Sequence, residues 1–252
     1  MRYFSIIIVF SFFVGSAQNP TDKEGWELTF SDEFNSDKLD REKWRDSYYW
    51  GGRFNEGGLN YYGENQFVFT DSSLIIVAEK KSSKEGMEYT SGLIDSSPSF
   101  KQKYGYFEIR SKIPNSTGMI PAFWLVSTEK WPPEIDIYEF YTNEPQRIKT
   151  NQHWLNKKNK KKMQPKGKKV KADLSNDFHV YAVEWGKKKI KWYFDNKRIK
   201  TSRRGVKYFT YNMHIIINSQ LSDDNEMDLN KGVFPNYCEV DYVRAYKRKI
   251  NK

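Results

Sequence analysis

Cysteine, histidine and long apolar runs are all scarce in this chain of 252 residues. The single cysteine, Cys238, has no partner for an internal disulfide. The three histidines, His153, His179 and His214, lack the spacing of a zinc site. Beyond residue 14 no stretch is apolar enough to anchor the chain in a bilayer. The sequence therefore predicts neither a disulfide scaffold nor a zinc protein, and no insertion into a membrane.

The first residues have the pattern of an export signal. Arg2 precedes an apolar run over residues 6–14, and small residues follow at Gly15 and Ala17. The run is too short to cross roughly 30 Å of hydrocarbon. We expect cleavage near Ala17-Gln18 and a secreted, soluble monomer in an extracellular or periplasmic space. The expected division is a signal peptide at 1–17, a polar leader at 18–25 and one catalytic domain at 26–252.

The net charge of +10 has a local origin. Nine lysines and no acid occur between Lys157 and Lys171, so the rest of the mature chain is nearly neutral. A nucleic-acid binder needs basic residues spread over a surface, so no nucleic-acid partner is predicted. The tract is interpreted as a solvated loop extended by self-repulsion, or as an arm that holds an anionic glycan.

The stretch from Trp131 to Phe140 contains the three acids Glu134, Asp136 and Glu139. Apolar residues alternate with the first two acids, which predicts a β-strand with one buried face. Under strict alternation Glu139 would lie on the buried face. One extra residue, a β-bulge around Ile137 or Tyr138, would bring all three acids to the same side.

Paired carboxyl groups on one strand face can cleave a glycosidic bond. Cleavage with retention needs two of them about 5 to 5.5 Å apart, one as nucleophile and one as proton donor. Asp136 lies between the glutamates, where it can orient Glu134 and help to keep Glu139 protonated. The alternative is an ordinary solvated polar face, on which acids have no chemical role.

The segment Glu134-Ile-Asp136-Ile-Tyr-Glu139 resembles the E-x-D-x-x-E signature of glycoside hydrolase family 16. By matching position, Glu134 is the expected nucleophile, Asp136 its helper and Glu139 the acid/base. The resemblance extends over most of the mature chain. It implies an all-β fold, a concanavalin A-like β-jelly-roll sandwich of two curved antiparallel sheets with a glycan cleft on the concave face. It also implies that catalysis requires no cofactor.

The same resemblance implies a set of residues that contact the polysaccharide substrate. These are Asn60 in an aromatic and glycine-rich segment, Arg110, Trp124, Trp131, His153 and Trp154. Three of them have a structural alternative: Arg110 would cover its own sheet, Trp124 would belong to the core, and His153 would be a hydrogen-bonded histidine without a role. Some family members hold a structural Ca²⁺, for which Glu33 and Asp241 are the matching residues, with about three to five further oxygens from backbone or water.

These features predict a retaining endo-β-glycanase, with β-1,3-glucan of the laminarin type as the first expected substrate. A red-algal galactan, sulfated or not, is the alternative, because of the lysines and because Ser219-Gln220 replaces a glycine-rich continuation common in the family. Transglycosylation shares the first chemical step. A glycan-binding jelly roll without activity is the alternative from another class.

Overall fold

The computed structural model describes residues 23–55, 57–223 and 227–249. The expected signal peptide, and the expected leader up to residue 22, lie outside these ranges. Within them no helix has the length and apolar character needed to cross a bilayer. The strands in chain order are β1 (Trp26–Asp32), β2 (Asn60–Tyr62), β3 (Phe67–Phe69), β4 (Leu74–Ala78), β5 (Tyr89–Ser91), β6 (Leu93–Asp95), β7 (Gly105–Lys112), β8 (Met119–Val126), β9 (Glu134–Glu139), β10 (Arg147–Leu155), β11 (Lys161–Met163), β12 (Lys166–Lys169), β13 (His179–Trp185), β14 (Ile190–Phe194), β15 (Lys197–Ser202), β16 (His214–Leu221) and β17 (Asn236–Arg248). Short 3₁₀ helices lie at Val206–Tyr208 and Leu229–Lys231.

Two antiparallel sheets contain most of these strands. The eight-stranded sheet has the order β15-β14-β13-β7-β17-β4-β3, with β1 also paired to β17. The seven-stranded sheet has the order β11-β10-β9-β8-β16-β6, with β12 also paired to β10. A small parallel pair is formed by β2 and β5. The acidic strand β9 is therefore a central strand, with β8 and β10 as its neighbours.

The hydrophobic core lies between the two sheets. Phe107, Val183 and Trp192 contribute from the eight-stranded sheet, and Ile135 and Ile217 contribute from the seven-stranded sheet. Along each of these strands apolar residues alternate with residues of the opposite face, which follows from the period of two of a β-strand. The core residues of β9 thus fix which side its acids face.

The lysine tract is not an extended loop in this structure. Its residues 161–163 and 166–169 form β11 and β12, both paired to β10 at one edge of the seven-stranded sheet. Lysines suit an edge strand because their charge discourages pairing with another chain. The residues of both strands are exposed to solvent, as expected, but the expectation of a loop was wrong because pairing with β10 offsets the local repulsion.

Candidate active site

A β-bulge in β9 lies where the sequence predicts one. Phe123 of β8 pairs with Tyr138, but the next residue, Trp124, pairs with Asp136, so Ile137 is the extra residue. The register against β10 shifts at the same place. The side chains of Ile137 and Tyr138 both enter the core. The alternation restarts after them, and Glu139 reaches the face that carries the other two acids.

Two side chains from the eight-stranded sheet support the backbone around the bulge. The indole Nε1 of Trp192 donates a hydrogen bond of 2.8 Å to the carbonyl oxygen of Asp136. The buried ammonium of Lys200 donates to the carbonyl oxygens of Gln164 at 2.8 Å and Thr150 at 3.4 Å. Burial lowers the pKa of Lys200 to about 8. Since an unpaired buried carbonyl costs free energy, these donors stabilise the distorted strands.

The three acids open into a cavity of about 420 Å³. Aromatic rings and amide groups make most of its wall. The lining residues are Tyr48, Tyr49, Trp50, Asn55, Ile120, Ala122, Trp124, Val126, Trp131, Glu134, Asp136, Glu139, Asn218 and Gln220. Aromatic faces together with a few fixed polar groups are typical of a sugar-binding site.

Glu134 is held by two neighbours on the cavity side. Its Oε2 accepts a hydrogen bond of 2.6 Å from the indole Nε1 of Trp131. His153 Nε2 lies 3.4 Å from Oε1 of Glu134 and 3.3 Å from Oδ2 of Asp136. The side-chain amide of Asn151 lies 3.0 Å from the same histidine nitrogen. His153 therefore contacts the Glu134–Asp136 pair.

The pKa values of all three acids are raised above their usual range. Burial and the charge of Asp136 raise the pKa of Glu134 to about 8. Burial and the charge of Glu139 raise the pKa of Asp136, and burial and the charge of Glu134 raise the pKa of Glu139. The three groups titrate together, so the cluster retains protons at neutral pH. A proton donor beside a carboxylate is what acid-assisted bond cleavage requires.

Of the six residues predicted to bind substrate, two line the cavity and a third contacts its acids. Trp124 and Trp131 line it, and His153 lies beside two of the acids. Trp124 is fixed by a hydrogen bond of 2.8 Å from its Nε1 to Oδ1 of Asn218. The ring of Trp124 packs against a small buried cluster and also lines the cavity, so the structure combines the core position with the predicted one.

The predictions for Asn60 and Arg110 were wrong. Asn60 is buried outside the cavity, where its Oδ1 accepts a hydrogen bond from the backbone N–H of Leu221. Arg110 belongs to β7 in the eight-stranded sheet, where it forms an ion pair with Asp241 and stacks on Phe178. This is the alternative in which the arginine covers its own sheet.

The prediction for Trp154 was also wrong. His153 faces the acids, so its neighbour Trp154 points to the opposite side of β10 and joins the core. The ring lies against Gly205, where a Cβ atom would come within 2.4 Å of it. Gly205 has a φ of 66°, which favours glycine. Trp154 therefore has a structural role.

Glu33 and Asp241 do not fit a shared calcium site. The Arg244 guanidinium binds both carboxylate oxygens of Glu33, at 2.9 and 2.6 Å. Asp241 is paired with Arg110 of β7, whereas Glu33 follows β1, a different neighbour of β17. Each carboxylate is thus neutralised by its own arginine, which disfavours a cation there. Within residues 23–55, 57–223 and 227–249, the close group of potential metal ligands is Glu134, Asp136 and His153, which is the acid cluster already described.

Sequence reasoning missed three amide residues of the cavity wall: Asn55, Asn218 and Gln220. Asn218 and Gln220 are on β16, where Ile215 and Ile217 point to the core. Continuing that alternation by one more step would have placed both amides on the cavity face. Asn55 lies in a loop, for which periodicity gives no signal.

The family model "Glycosyl hydrolases family 16" matches residues 54–232, which include the acidic strand and the cavity wall. The chain belongs to glycosyl hydrolase family 16. The jelly-roll sandwich of antiparallel sheets expected from the acid signature is confirmed.

Among curated relatives, the chain is 31% identical over 249 residues to the endo-1,3-1,4-beta-glycanase EglC of Rhizobium meliloti, covering 89% of this chain and 52% of that protein. It is 30% identical over 248 residues to a beta-glucanase of Rhodothermus marinus, covering 88% of this chain and 85% of that protein. The chain thus spans about half the length of the Rhizobium relative.

Two solved structures share the fold. One is the catalytic domain of an endo-1,3-beta-glucanase (laminarinase) from Thermotoga petrophila, with a TM-score of 0.76, 25% identity and coverage of 89% of this chain and 99% of that one. The other comes from work on endo-acting O-glycanases that human gut bacteria express to initiate mucin breakdown. It has a TM-score of 0.79 and 26% identity, and the match covers 90% of this chain and 92% of that one.

Proposed function

We propose that this protein is a retaining endo-β-glycanase that hydrolyses internal bonds of β-1,3-glucan. The observation that carries the proposal is the bulge at Ile137, which brings Glu134, Asp136 and Glu139 to one face of β9 inside an aromatic-walled cavity. Family membership and the β-glucanase names of the relatives support the same reaction and the same class of sugar.

In the proposed mechanism Glu139 protonates the glycosidic oxygen while the ionised carboxylate of Glu134 attacks the anomeric carbon. Water then attacks the glycosyl-enzyme, and Glu139 takes up its proton as general base. Burial and the charge of Asp136 raise the pKa of Glu134 to about 8, so the reactive form is the one in which Glu134 has lost its proton, and the hydrogen bond from Trp131 stabilises that form. The like charges of the cluster favour a protonated Glu139, which suits the acid.

Chromatography of the products from laminarin, mixed-linkage glucan, agarose, porphyran and carrageenan tests the substrate. We expect a series of oligosaccharides from laminarin, as internal cleavage requires, and no release by the Glu134→Gln or Glu139→Gln variants. Near-normal turnover by either variant would contradict the mechanism. Cleavage of a galactan but not of laminarin would contradict the substrate.

A mucin-type O-glycan is the second candidate substrate, because the solved O-glycanase has the same architecture over 90% of this chain. Adding porcine mucin to the panel distinguishes the two candidates. A glycan-binding protein without activity would not need three converging acids with raised pKa values, and release of any oligosaccharide would exclude it.

We also propose that the chain is exported after cleavage near Ala17-Gln18 and acts as a monomer. The support is the apolar run at residues 6–14 with small residues before the expected cleavage site. N-terminal sequencing of protein recovered outside the cytoplasm should begin near Gln18. A product that retains Arg2 would contradict cleavage.

A further inference from the structure

A second groove begins on the far side of Glu139 from the aromatic cavity. It has a volume of about 560 Å³ and lies over β10 and β12. We call it the basic groove. Its lining residues are Glu139, Tyr141, Glu144, Arg147, Lys149, Thr150, Asn151, Pro165, Lys166 and Gly167. Because Glu139 lines both spaces, a sugar chain that leaves the aromatic cavity past the acid/base enters this groove.

The strand pairing holds two cations of the basic groove in position. Gly167 of β12 pairs with Lys149 of β10. A Cβ atom at Gly167 would lie 3.3 Å from Cδ and Nη1 of Arg147, so the missing side chain makes room for the arginine to lie across the strand. The ammonium of Lys149 lies 3.2 Å from the centre of the Tyr141 ring.

The charge of the basic groove is positive in balance. Glu144 accepts from Arg147 Nε at 2.6 Å and forms an ion pair of 3.1 Å with Lys149. Although burial opposes it, these two cations lower the pKa of Glu144, so this acid is ionised. The groove thus holds the three cations Arg147, Lys149 and Lys166 against the two acids Glu139 and Glu144, so the cations outnumber the acids even when both acids are ionised.

The basic groove is poorly suited to stacking an unsubstituted sugar. Tyr141 is the aromatic residue among its lining residues, and the ammonium of Lys149 covers one face of that ring. The aromatic cavity on the other side of Glu139 has five aromatic lining residues by comparison. The two sides of the reacting bond therefore present different chemistry: rings on one side and cations on the other.

We propose that the basic groove binds an anionic substituent, a sulfate ester or a carboxylate, on the part of the glycan that lies beyond Glu139. The inference rests on the proposed endo-glycanase function and adds the charge class of the substrate. Guanidinium and ammonium groups are the usual partners of such oxyanions, with the planar arginine able to donate two parallel hydrogen bonds. The attraction weakens as salt screens these exposed charges.

The test compares laminarin, chemically sulfated laminarin and carboxymethyl-curdlan as substrates. The variant is Arg147→Gln/Lys166→Gln. Its matched control is Lys158→Gln/Lys160→Gln, which removes the same number of positive charges from the part of the lysine tract that lies outside the groove. We expect kcat/KM for an anionic polymer, divided by that for laminarin, to fall about 3- to 10-fold in the groove variant, on the scale of one or two exposed ion pairs. In the control this ratio should stay near the wild-type value.

An equal fall in both double variants, or no fall in the groove variant, would overturn the proposal. A preference for the sulfated over the carboxymethylated polymer, or the reverse, identifies the oxyanion. The single variant Lys166→Gln, which leaves the Arg147–Glu144 contact in place, covers the case in which the double variant does not fold. Electrophoresis of the wild-type protein in gels that contain each polymer compares binding of the anionic and neutral polymers without requiring cleavage. If the wild-type protein does not cleave laminarin, that result counts against the proposed function but not against anion binding by the basic groove.

Discussion

The indole nitrogen of Trp131 donates a hydrogen bond of 2.6 Å to the carboxylate of Glu134, and Lys161 lies 3.8 Å above the centre of the same indole ring. Trp131 is 48% exposed, so its orientation owes little to the core. Lys161 belongs to β11, one of the edge strands of the lysine tract. The tract thus takes part in holding the tryptophan that positions the proposed nucleophile.

Replacing Trp131 by phenylalanine should lower kcat/KM by about 10- to 100-fold, the value of a hydrogen bond to a charged group. Because that bond lowers the pKa of Glu134, its loss should move the acidic limb of the pH profile to higher pH. Trp50→Phe is the control, since Trp50 lines the same cavity without a bond to an acid. An unchanged pH profile in Trp131→Phe would contradict the role assigned to this residue.

The Asp136→Asn variant should move the acidic limb in the opposite direction. After burial, the charge of Asp136 is the largest cause that raises the pKa of Glu134. Without that charge Glu134 ionises at lower pH, so activity should persist to lower pH although kcat falls. The pH dependence of kcat/KM measures the shift. If the acidic limb of the pH profile instead moves to higher pH, Asp136 does not act on Glu134 through its charge.

The bulge should depend on the hydrogen bond from Trp192 to the carbonyl of Asp136. Trp192→Phe leaves that buried carbonyl without its donor, at a cost of about 1 to 3 kcal/mol beyond the lost packing. Trp185→Phe is the matched control, because Trp185 is equally buried and its Nε1 has no hydrogen-bond partner within the described residues. The unfolding free energy should fall more for Trp192→Phe, with a larger loss of kcat. Equal effects in both variants would mean that the bond adds nothing beyond packing.

The raised pKa of Glu134 also predicts how stability changes with pH. From pH 4.5 to about 8 the folded protein holds a proton that the unfolded chain releases, so the unfolding free energy falls as the pH rises through this window. Glu134→Gln cannot lose a proton at this site. Its melting temperature relative to wild type should therefore increase from pH 5 to pH 8.

Glu184→Gln provides a control in which stability should change with pH in the opposite direction. Burial opposes ionisation of Glu184, but its contacts with Lys191 at 2.7 Å and Tyr193 at 3.0 Å outweigh that effect and lower its pKa. Glu184 therefore stabilises the folded state at pH values above its pKa in the unfolded chain, and this stabilisation is lost as the pH falls through its pKa in the folded state. This variant should be less stable than wild type at pH 7, with a difference that shrinks in acid. If the difference in melting temperature between Glu134→Gln and wild type is the same at every pH, the pKa of Glu134 is not raised in the folded protein.

The sequence predicted the bulge because three acids spaced two and then three positions apart cannot share a face under strict alternation. The same alternation was sufficient to place Ile135 and Ile137 in the core. It failed for Trp154, where the resemblance assigned two adjacent residues of one strand to the cavity, although adjacent side chains point to opposite faces. Applying the period of two there would have corrected the assignment.

Contacts between sheets and loops were beyond the reach of the sequence. Whether Arg110 faces the cavity depends on which sheet contains β7, and no local pattern specifies that. Asn60 lies in a segment whose composition suits a sugar site, yet its side chain satisfies the backbone of Leu221. The strands β11 and β12 were missed because lysine-rich segments disfavour strand formation, and only pairing with β10 makes them regular.

The most direct test of the central claim is the configuration of the product formed with azide from an aryl β-laminarioligosaccharide. If Glu134 is the nucleophile and Glu139 the acid/base, azide should rescue both alanine variants with opposite outcomes. Glu139→Ala should give the β-glycosyl azide, because azide replaces water in attacking the glycosyl-enzyme. Glu134→Ala should give the α-glycosyl azide by a single displacement. A β-azide from Glu134→Ala, or an α-azide from Glu139→Ala, would contradict the roles assigned to the two glutamates.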